Sequence, residues 1–392
     1  MDDDGTGTAA FAGPAWRDAF RAVDRAGFVP TRAWATPMDG GPGRWIDRDA
    51  DPDAWRAAVR GDATILTQVD DGATPLTEES AAASVLPSSS ATAPSLVAAF
   101  LDLLDPAPGD RVLEIGTGTG WTAALLSHRL GGDRVTTVEV DPQVARTAEA
   151  NLRRTGHQPA LVVGDGGYGH PAGAPYDRVH ATCGVTEVPW AWVEQTRQGG
   201  VIVAPWMPRV QGGGHRVRLT ATGDGAVGRL HGDGSFMLLR AHRHVVRPLR
   251  GEPRESTTRL DPRRLTGSGR GCAVALAGLL PDVHVNAGDA PDGTHRLALR
   301  DTAGESHALV VRHADGGDAA VSERGPRDLW SEARDAYFTW VGWGEPGRER
   351  FGLTVDREGH HVWLDRPDHR IGGISWASTA VSTARCAEER GP

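Results

Sequence analysis

The 392-residue sequence contains no lysine; all 42 of its basic residues are arginine. That absence excludes a Walker-type phosphate loop, a Schiff-base lysine and a Ser-Lys dyad, each of which needs the missing amine. Cysteine is scarce: Cys183, Cys272 and Cys386 are odd in number, far apart and form no C-x-x-C pair. Neither a disulfide framework nor a thiolate zinc site follows, and a reducing compartment is expected. The acidic start Met1-Asp2-Asp3-Asp4 lacks an apolar h-region, and no apolar run approaches the length of a membrane span. A soluble cytoplasmic protein with no membrane partner is predicted. The net charge of -9 argues against nucleic acid as a partner. No G-x-S-x-G elbow is present. His242, His244, His360 and His361 lack spaced carboxylate or thiolate partners, so they read as surface residues and no metal is expected.

What is present is enough chain for two domains, with 13 tryptophans for packing and 51 glycines and 26 prolines for loops. Residues 1–13 are small and polar and read as a disordered start. Trp16, Phe20 and Val23 then share one face of a short helix opened by Pro14. Residues 37–52 read as a loop and 53–59 as a short helix. A hydroxyl-rich loop, Ser88-Ser89-Ser90-Ala91-Thr92, leads to a helix with Pro94 in its first turn. From residue 111 short apolar strands alternate with helices: strands at 111–115, 134–140, 161–163, 176–182 and 201–204, helices at 121–130, 142–154 and 189–197. Such alternation predicts an α/β fold, a parallel sheet with helices on both faces. Beyond about residue 245 the pattern changes to short strands around one helix at 329–340, a C-terminal α+β domain. The division expected is therefore 1–13, 14–244 and 245–392.

The chemistry concentrates at strand ends. The strand Val112-Leu113-Glu114-Ile115 runs into Gly116-Thr117-Gly118-Thr119-Gly120, where glycine lets a turn tighten and a ligand approach the backbone. A dinucleotide fingerprint would need glycine at 121, where Trp121 stands. Glu139, at the end of the next strand, can accept both hydroxyl hydrogens of a ribose; Asp141, before Pro142, suits a helix N-cap better. After the third strand, Gly164-Asp165-Gly166 places a carboxylate where an adenine amine can meet it, although Asp-Gly is also a common turn. Cys183 reads as a small buried residue more readily than as a nucleophile.

The run Pro108 to Gly118 followed by Gly120-Trp121, then Gly164-Asp165-Gly166, Ala174-Pro175-Tyr176-Asp177, Val188-Pro189-Trp190 and Gly199-Gly200-Val201, resembles protein-L-isoaspartate O-methyltransferases over about residues 14–240. Ile65-Leu66-Thr67-Gln68, Ala181-Thr182-Cys183, Trp192 to Arg197, Ser235-Phe236-Met237 and Val362-Trp363-Leu364-Asp365 make it most similar to the methyltransferases found beside ATP-grasp ligases in graspetide (omega-ester peptide) biosynthesis. The resemblance implies a Rossmann-like methyltransferase sheet with S-adenosyl-L-methionine as cofactor and S-adenosylhomocysteine as product. It implies that Thr92, standing where the family commonly has serine, and Ser90 act on the substrate carboxyl. The cofactor set it implies is Ser89, Ser90, Thr92, Glu114, Gly116, Thr117, Gly118, Thr119, Gly120, Trp121, Glu139, Val140, Gly164, Asp165 and Gly166. The partner implied is a precursor peptide crosslinked by an ATP-grasp ligase, whose methylated aspartate closes to a succinimide (aspartimide) that can open to isoaspartate. General isoaspartyl repair, modification of a lanthipeptide or lasso peptide, and a non-catalytic peptide scaffold are the alternatives. The extra C-terminal domain is taken to favour one dedicated peptide over general repair. Oligomeric state is left open.

Overall fold

A computed structural model describes residues 7–83, 86–244, 248 and 251–375. Its chain divides into two compact units, Met1–Cys183 with Glu194–Ala204, and Gly184–Val193 with Pro205–Pro392. Among the described residues no helix is long and apolar enough to cross a membrane.

The first unit opens with a single 3-10 turn, Thr8–Phe11, and helix α1 (Arg17–Ala22). Thr8, Ala9 and Ala12 are buried, so part of 7–13 packs where the sequence pattern predicts disorder; residues 1–6 lie outside the described residues. A small antiparallel sheet follows, built from β1 (Arg32–Pro37), β2 (Arg44–Asp47), β3 (Ala63–Val69) and β4 (Pro87–Ala91) in the order β2-β1-β3-β4. Helix α2 (Pro52–Arg60) starts where Asp51 accepts the Ala54 amide, and it buries Trp55, Ala58 and Val59 against Ala33, Ile46 and Ile65. Short helix α3 (Glu78–Ala82) precedes β4. Two segments expected as loops are thus strands, β2 within 37–52 and β4 within the hydroxyl-rich run. Backbone pairing to β1 and β3 decides both, and neither carries the apolar alternation that announces a strand.

The larger sheet of this unit is wholly parallel. Helix α4 (Pro94–Leu104) leads to β5 (Val112–Ile115), α5 (Trp121–Leu130), β6 (Val135–Glu139), α6 (Pro142–Arg154), β7 (Ala160–Val163) and β8 (Tyr176–Ala181). After α7 (Trp190–Glu194) comes β9 (Thr196–Trp206), giving the order β9-β8-β5-β6-β7. The helix expected over 189–197 is cut short because Thr196 already pairs with Tyr176. Every residue of β5 is buried, as a central parallel strand requires.

In the second unit β10 (His215–Ala221) and β11 (Gly225–Asp233) form a hairpin, and β12 (Arg254–Thr258) follows. Helices α8 (Arg263–Gly267) and α9 (Arg270–Leu279) precede β13 (Val283–Asp289), β14 (His295–Asp301), β15 (His307–Arg312) and β16 (Ala319–Arg324). Helix α10 (Leu329–Gly342) and strands β17 (Phe351–Asp356), β18 (Gly359–Leu364) and β19 (Arg370–Ser375) complete it. Two antiparallel sheets result, β10-β11-β17-β18-β19 and β12-β16-β15-β14-β13. This unit starts well before residue 245 because β11 pairs with β17, Gly225 opposite Asp356 through Arg229 opposite Gly352.

One side chain fixes the entry to α4. The Arg25 guanidinium is 1% exposed and donates to the carbonyls of Val59, Ala63, Ala91 and Thr92 at 2.8–2.9 Å. It therefore ties the end of α2 and the start of β3 to the end of β4. Burial pushes its pKa down to about 9, with nearby Asp62 opposing, so it remains a cation at neutral pH. Asp62 in turn accepts the Ser95 amide at 3.0 Å and serves as the cap that Ala93 cannot provide. Arg25→Ala should cost about 3 kcal/mol or more, since four buried carbonyls lose a charged donor, and Arg25→Lys should not restore it because an ammonium lacks the planar fork. Urea unfolding midpoints test this; an unchanged midpoint for Arg25→Ala would mean that the clamp contributes nothing.

Candidate functional site

The strands β5, β6, β7 and β8 end side by side. Ile115 lies opposite Val138 and Ala181, and Glu139 opposite Val163. Backbone bonds continue past the ends, from the Gly116 amide to Val138, from Gly164 to Glu139 and from Thr182 to Ile115, at 2.8–2.9 Å. Strand β5 has β6 on one side and β8 on the other, so the chain reverses its direction of travel across the sheet here, the place where open α/β sheets form a ligand crevice.

The glycine loop occupies that edge. Gly116 has φ +94°, and a Cβ there would meet the Thr182 hydroxyl at 2.7 Å, so conformation and space both demand glycine. Gly118 has φ +55°, and its amide donates to Glu139 Oε2 at 2.9 Å. The other Glu139 oxygen accepts from the Asp141 amide at 3.0 Å. Glu139 thus anchors the loop as well as standing at the position expected to meet a ribose. Asp141 caps α6 as its sequence position predicts, accepting from the Gln143 and Val144 amides, and its second oxygen accepts from Gln68 of β3. Asp165 accepts from the Gly167 amide at 2.8 Å, which turns the chain after β7. Val140, directly after β6, is partly exposed at the same edge.

Beneath the loop runs a buried polar chain. Thr137 donates to Glu114 Oε2 at 2.6 Å, and the Thr117 and Thr137 hydroxyls are also 2.6 Å apart. Either threonine hydroxyl can be the donor between the two. Glu114 is fully buried, which pushes its carboxyl up to about 8, with the Thr137 bond opposing and Glu139 reinforcing the shift. It underpins the loop from within the sheet instead of facing a ligand. Trp121 also departs from its expected place beside a cofactor. It is 2% exposed, donates to the Val23 carbonyl at 3.2 Å, packs edge-on to Phe20 at 5.3 Å and lies under the Arg25 guanidinium at 5.3 Å. As the first residue of α5 it points into the N-terminal packing.

Strand β4 approaches the loop from above. The Ser90 carbonyl lies 3.4 Å from where a Gly118 Cβ would stand, and the buried Ser89 hydroxyl accepts from Thr67 at 3.2 Å. Thr92 is half-buried, its carbonyl held by Arg25, and its hydroxyl has no hydrogen-bond partner among the described residues. Ser89, Ser90 and Gly118 therefore come together, with Thr92 just beyond the strand. The half-buried Cys183 follows β8; burial pushes its thiol up to about 12, and Glu139 and Asp165 add to the shift. A neutral thiol and two carboxylates share this edge. Gln68, Thr137 and Arg25 are contributors that the sequence does not announce, because their partners lie far along the chain.

The histidine expectations need correction. His360 is buried, accepts from the Val188 amide at 3.0 Å and has its pKa lowered to about 4, chiefly by burial. His361 has a carboxylate partner after all, Asp356 at 3.3 Å, because the β17-β18 hairpin brings them together. Asp356, Glu358 and His361 each place one potential ligand atom within 4.8 Å of the others, but Arg370 lies on both carboxylates at 2.7 and 3.7 Å. That cluster is an ion-pair group with Arg370 between the two carboxylates.

Residues 76–223 match the family model described as Protein-L-isoaspartate(D-aspartate) O-methyltransferase (PCMT). The protein-L-isoaspartate O-methyltransferase of Methanopyrus kandleri is 44% identical over 117 residues, 29% of this chain and 52% of that one. That of Pyrococcus horikoshii is 41% identical over 115 residues, again 29% and 52%. The chain spans about half the length of the curated relatives it matches. A solved structure titled protein-L-isoaspartate O-methyltransferase shares the fold, with a TM-score of 0.51 and 23% identity, covering 91% of this chain and 96% of that one.

Glu114 supplies a pH test. Its folded pKa of about 8 lies above the ordinary value of 4.5, so between those limits the folded state binds a proton that the unfolded chain has lost. Its contribution is complete below the lower limit and is lost as pH rises through the upper one. Glu114→Gln, with no such proton, should show a flatter dependence of Tm on pH between about 5 and 8; parallel profiles for the two proteins would show that Glu114 does not titrate there.

Proposed function

We propose that the protein is an S-adenosylmethionine-dependent methyltransferase that esterifies aspartyl or isoaspartyl carboxylates in peptides. The observation that carries this is the meeting, at one sheet edge, of the Gly116–Gly120 loop, Glu139 and Asp165 with the hydroxyl-bearing strand β4. The match of residues 76–223 to the isoaspartyl methyltransferase family model supports it.

The crevice suits such a cofactor. Glu139 is fixed by two backbone amides where a ribose would lie, while Asp165 offers an acceptor to an adenine amine. Gly118 lets backbone lie close to the ligand. When bound, S-adenosylmethionine supplies a methyl group on a sulfonium, which a carboxylate oxygen takes as the carbon–sulfur bond breaks and its electron pair stays on sulfur. The acceptor carboxylate, with a pKa of about 4, is already ionised at neutral pH, so no general base is needed. Alignment is what the protein must provide. The Thr92 hydroxyl can donate to the non-attacking oxygen and hold the carboxylate in line. Cys183, kept as a neutral thiol, does not compete for the methyl group.

A dedicated precursor peptide, crosslinked first by an ATP-grasp ligase and carried on to aspartimide, is the finer form of this reading, and its support is the sequence resemblance. The second unit no longer argues for it against general repair, because a solved protein-L-isoaspartate O-methyltransferase shares the fold over 91% of this chain. Incubating the full chain with labelled cofactor and either an isoaspartyl test peptide or a precursor peptide, read by mass spectrometry, separates the two. Turnover of the test peptide alone sinks the dedicated-peptide form.

Thr92→Ala should lower kcat at least about tenfold while S-adenosylhomocysteine binding stays within about twofold. Unchanged turnover removes Thr92 from the mechanism. Glu139→Gln should weaken S-adenosylhomocysteine by about tenfold or more in calorimetry, since it loses charge-assisted bonds. No binding of that product to the parent protein would favour a cofactor-free scaffold.

A further inference from the structure

A cavity adjoins the glycine loop within the first unit. It has a volume of about 680 Å³, a size typical of small-molecule and peptide subsites. Of the residues expected to hold the cofactor, only Ser89, Gly118 and Thr119 border it; Glu139, Val140, Gly164, Asp165 and Gly166 do not. Ser89, Gly118 and Thr119 thus belong both to this cleft and to the set expected to hold the cofactor.

Its charge is distinctive. Arg48 and Arg154 line the cleft and, among the described residues, no aspartate or glutamate does, in a chain whose acids outnumber its bases 51 to 42. Neither arginine has a carboxylate partner among the described residues. Arg48 donates to the Thr31 hydroxyl at 2.9 Å and lies over the Trp55 ring at 5.4 Å. Arg154 donates to Asn151 Oδ1 at 3.0 Å and to the Gly27 carbonyl. Neutral acceptors thus orient both guanidinium groups without an ion pair among the described residues, leaving N–H donors for a carboxylate. Thr147 and Gln143 add neutral polar groups, and Phe28 and Val144 an apolar wall for side-chain stems. With the chain's net charge at -9, an acidic ligand is repelled in general and attracted here, so the cleft both selects and orients.

We infer that this cleft binds an acidic segment of the peptide substrate, placing glutamate or aspartate side chains that flank the methyl-accepting residue on Arg48 and Arg154. The inference rests on the peptide-methylation reading for its occupant. It makes the enzyme selective for anionic sequence context, a property distinct from methyl transfer itself.

The test uses the full-length protein saturated with S-adenosylhomocysteine and two fluorescein-labelled peptides, one with glutamates around a central aspartate and one with glutamines in their place. Fluorescence anisotropy should show the acidic peptide binding about tenfold or more tightly, with a preference that shrinks as salt is raised. Arg48→Gln together with Arg154→Gln should remove about tenfold from the acidic peptide and leave the other within about twofold, while S-adenosylhomocysteine affinity is unchanged. Arg154 also braces Gly27, so Arg48→Gln alone, checked by its unchanged Tm, gives the conservative version with a smaller loss in the same direction. Equal losses for both peptides, or a matching loss of S-adenosylhomocysteine affinity, would overturn the inference; the latter would assign the cleft to the cofactor. Selective binding without methyl transfer to either peptide would fell the catalytic reading and leave the cleft standing, whereas methyl transfer indifferent to flanking charge would do the reverse.

Discussion

A single buried cation holds the first unit in its working arrangement. Arg25 spans the end of α2, the start of β3 and the end of β4 with four carbonyl bonds, and its face rests on Trp121. Trp121 is the residue that begins α5 directly after the glycine loop. The strand above the loop and the helix below it therefore share one anchor. A guanidinium suits this task because its planar fork can satisfy several carbonyls at once and it keeps its charge even when dehydrated. The cost of burying it is met by oriented peptide dipoles instead of a carboxylate.

The same economy of charge governs the neighbouring titratable groups. Glu114, sealed inside the sheet, is pushed toward its neutral form, and Cys183 is held as a thiol beside Glu139 and Asp165. Glu139 instead accepts from two backbone amides at the strand end. The edge thus places two carboxylates beside a thiol held in its neutral form.

The parallel sheet was readable because its strands are short and apolar, its helices open on Pro94 and Pro142, and Asp141 sits where an N-cap belongs. The glycine loop, Glu139 and Asp165 were legible for the same reason, since their spacing follows from successive strand ends. The small sheet was not. Strands β1 to β4 are rich in Arg, Thr and Ser, and their strand character comes from mutual pairing. Helix α9, buried along Gly271–Gly278, has almost no polar face and opens on Gly269 without a side-chain cap, so it shows neither amphipathic period nor start signal. Trp121 lies in a motif that suggested a ligand contact, but its indole follows the N-terminal segment about a hundred residues away in sequence. Arg25, the His361–Asp356 pair and the two-arginine cleft likewise depend on tertiary folding, which no local pattern records.

The bond from the Gly118 amide to Glu139 means that the loop is set before any ligand arrives. A molecule entering the crevice need not order it, so association forfeits little backbone entropy there. Strand β4 is tied down as well, by Arg25 at its end. Discrimination between ligands then lies in how well each one fits a fixed cast, and the lifetime of the bound state, more than the speed of capture, becomes the quantity that sequence variation at this edge can tune.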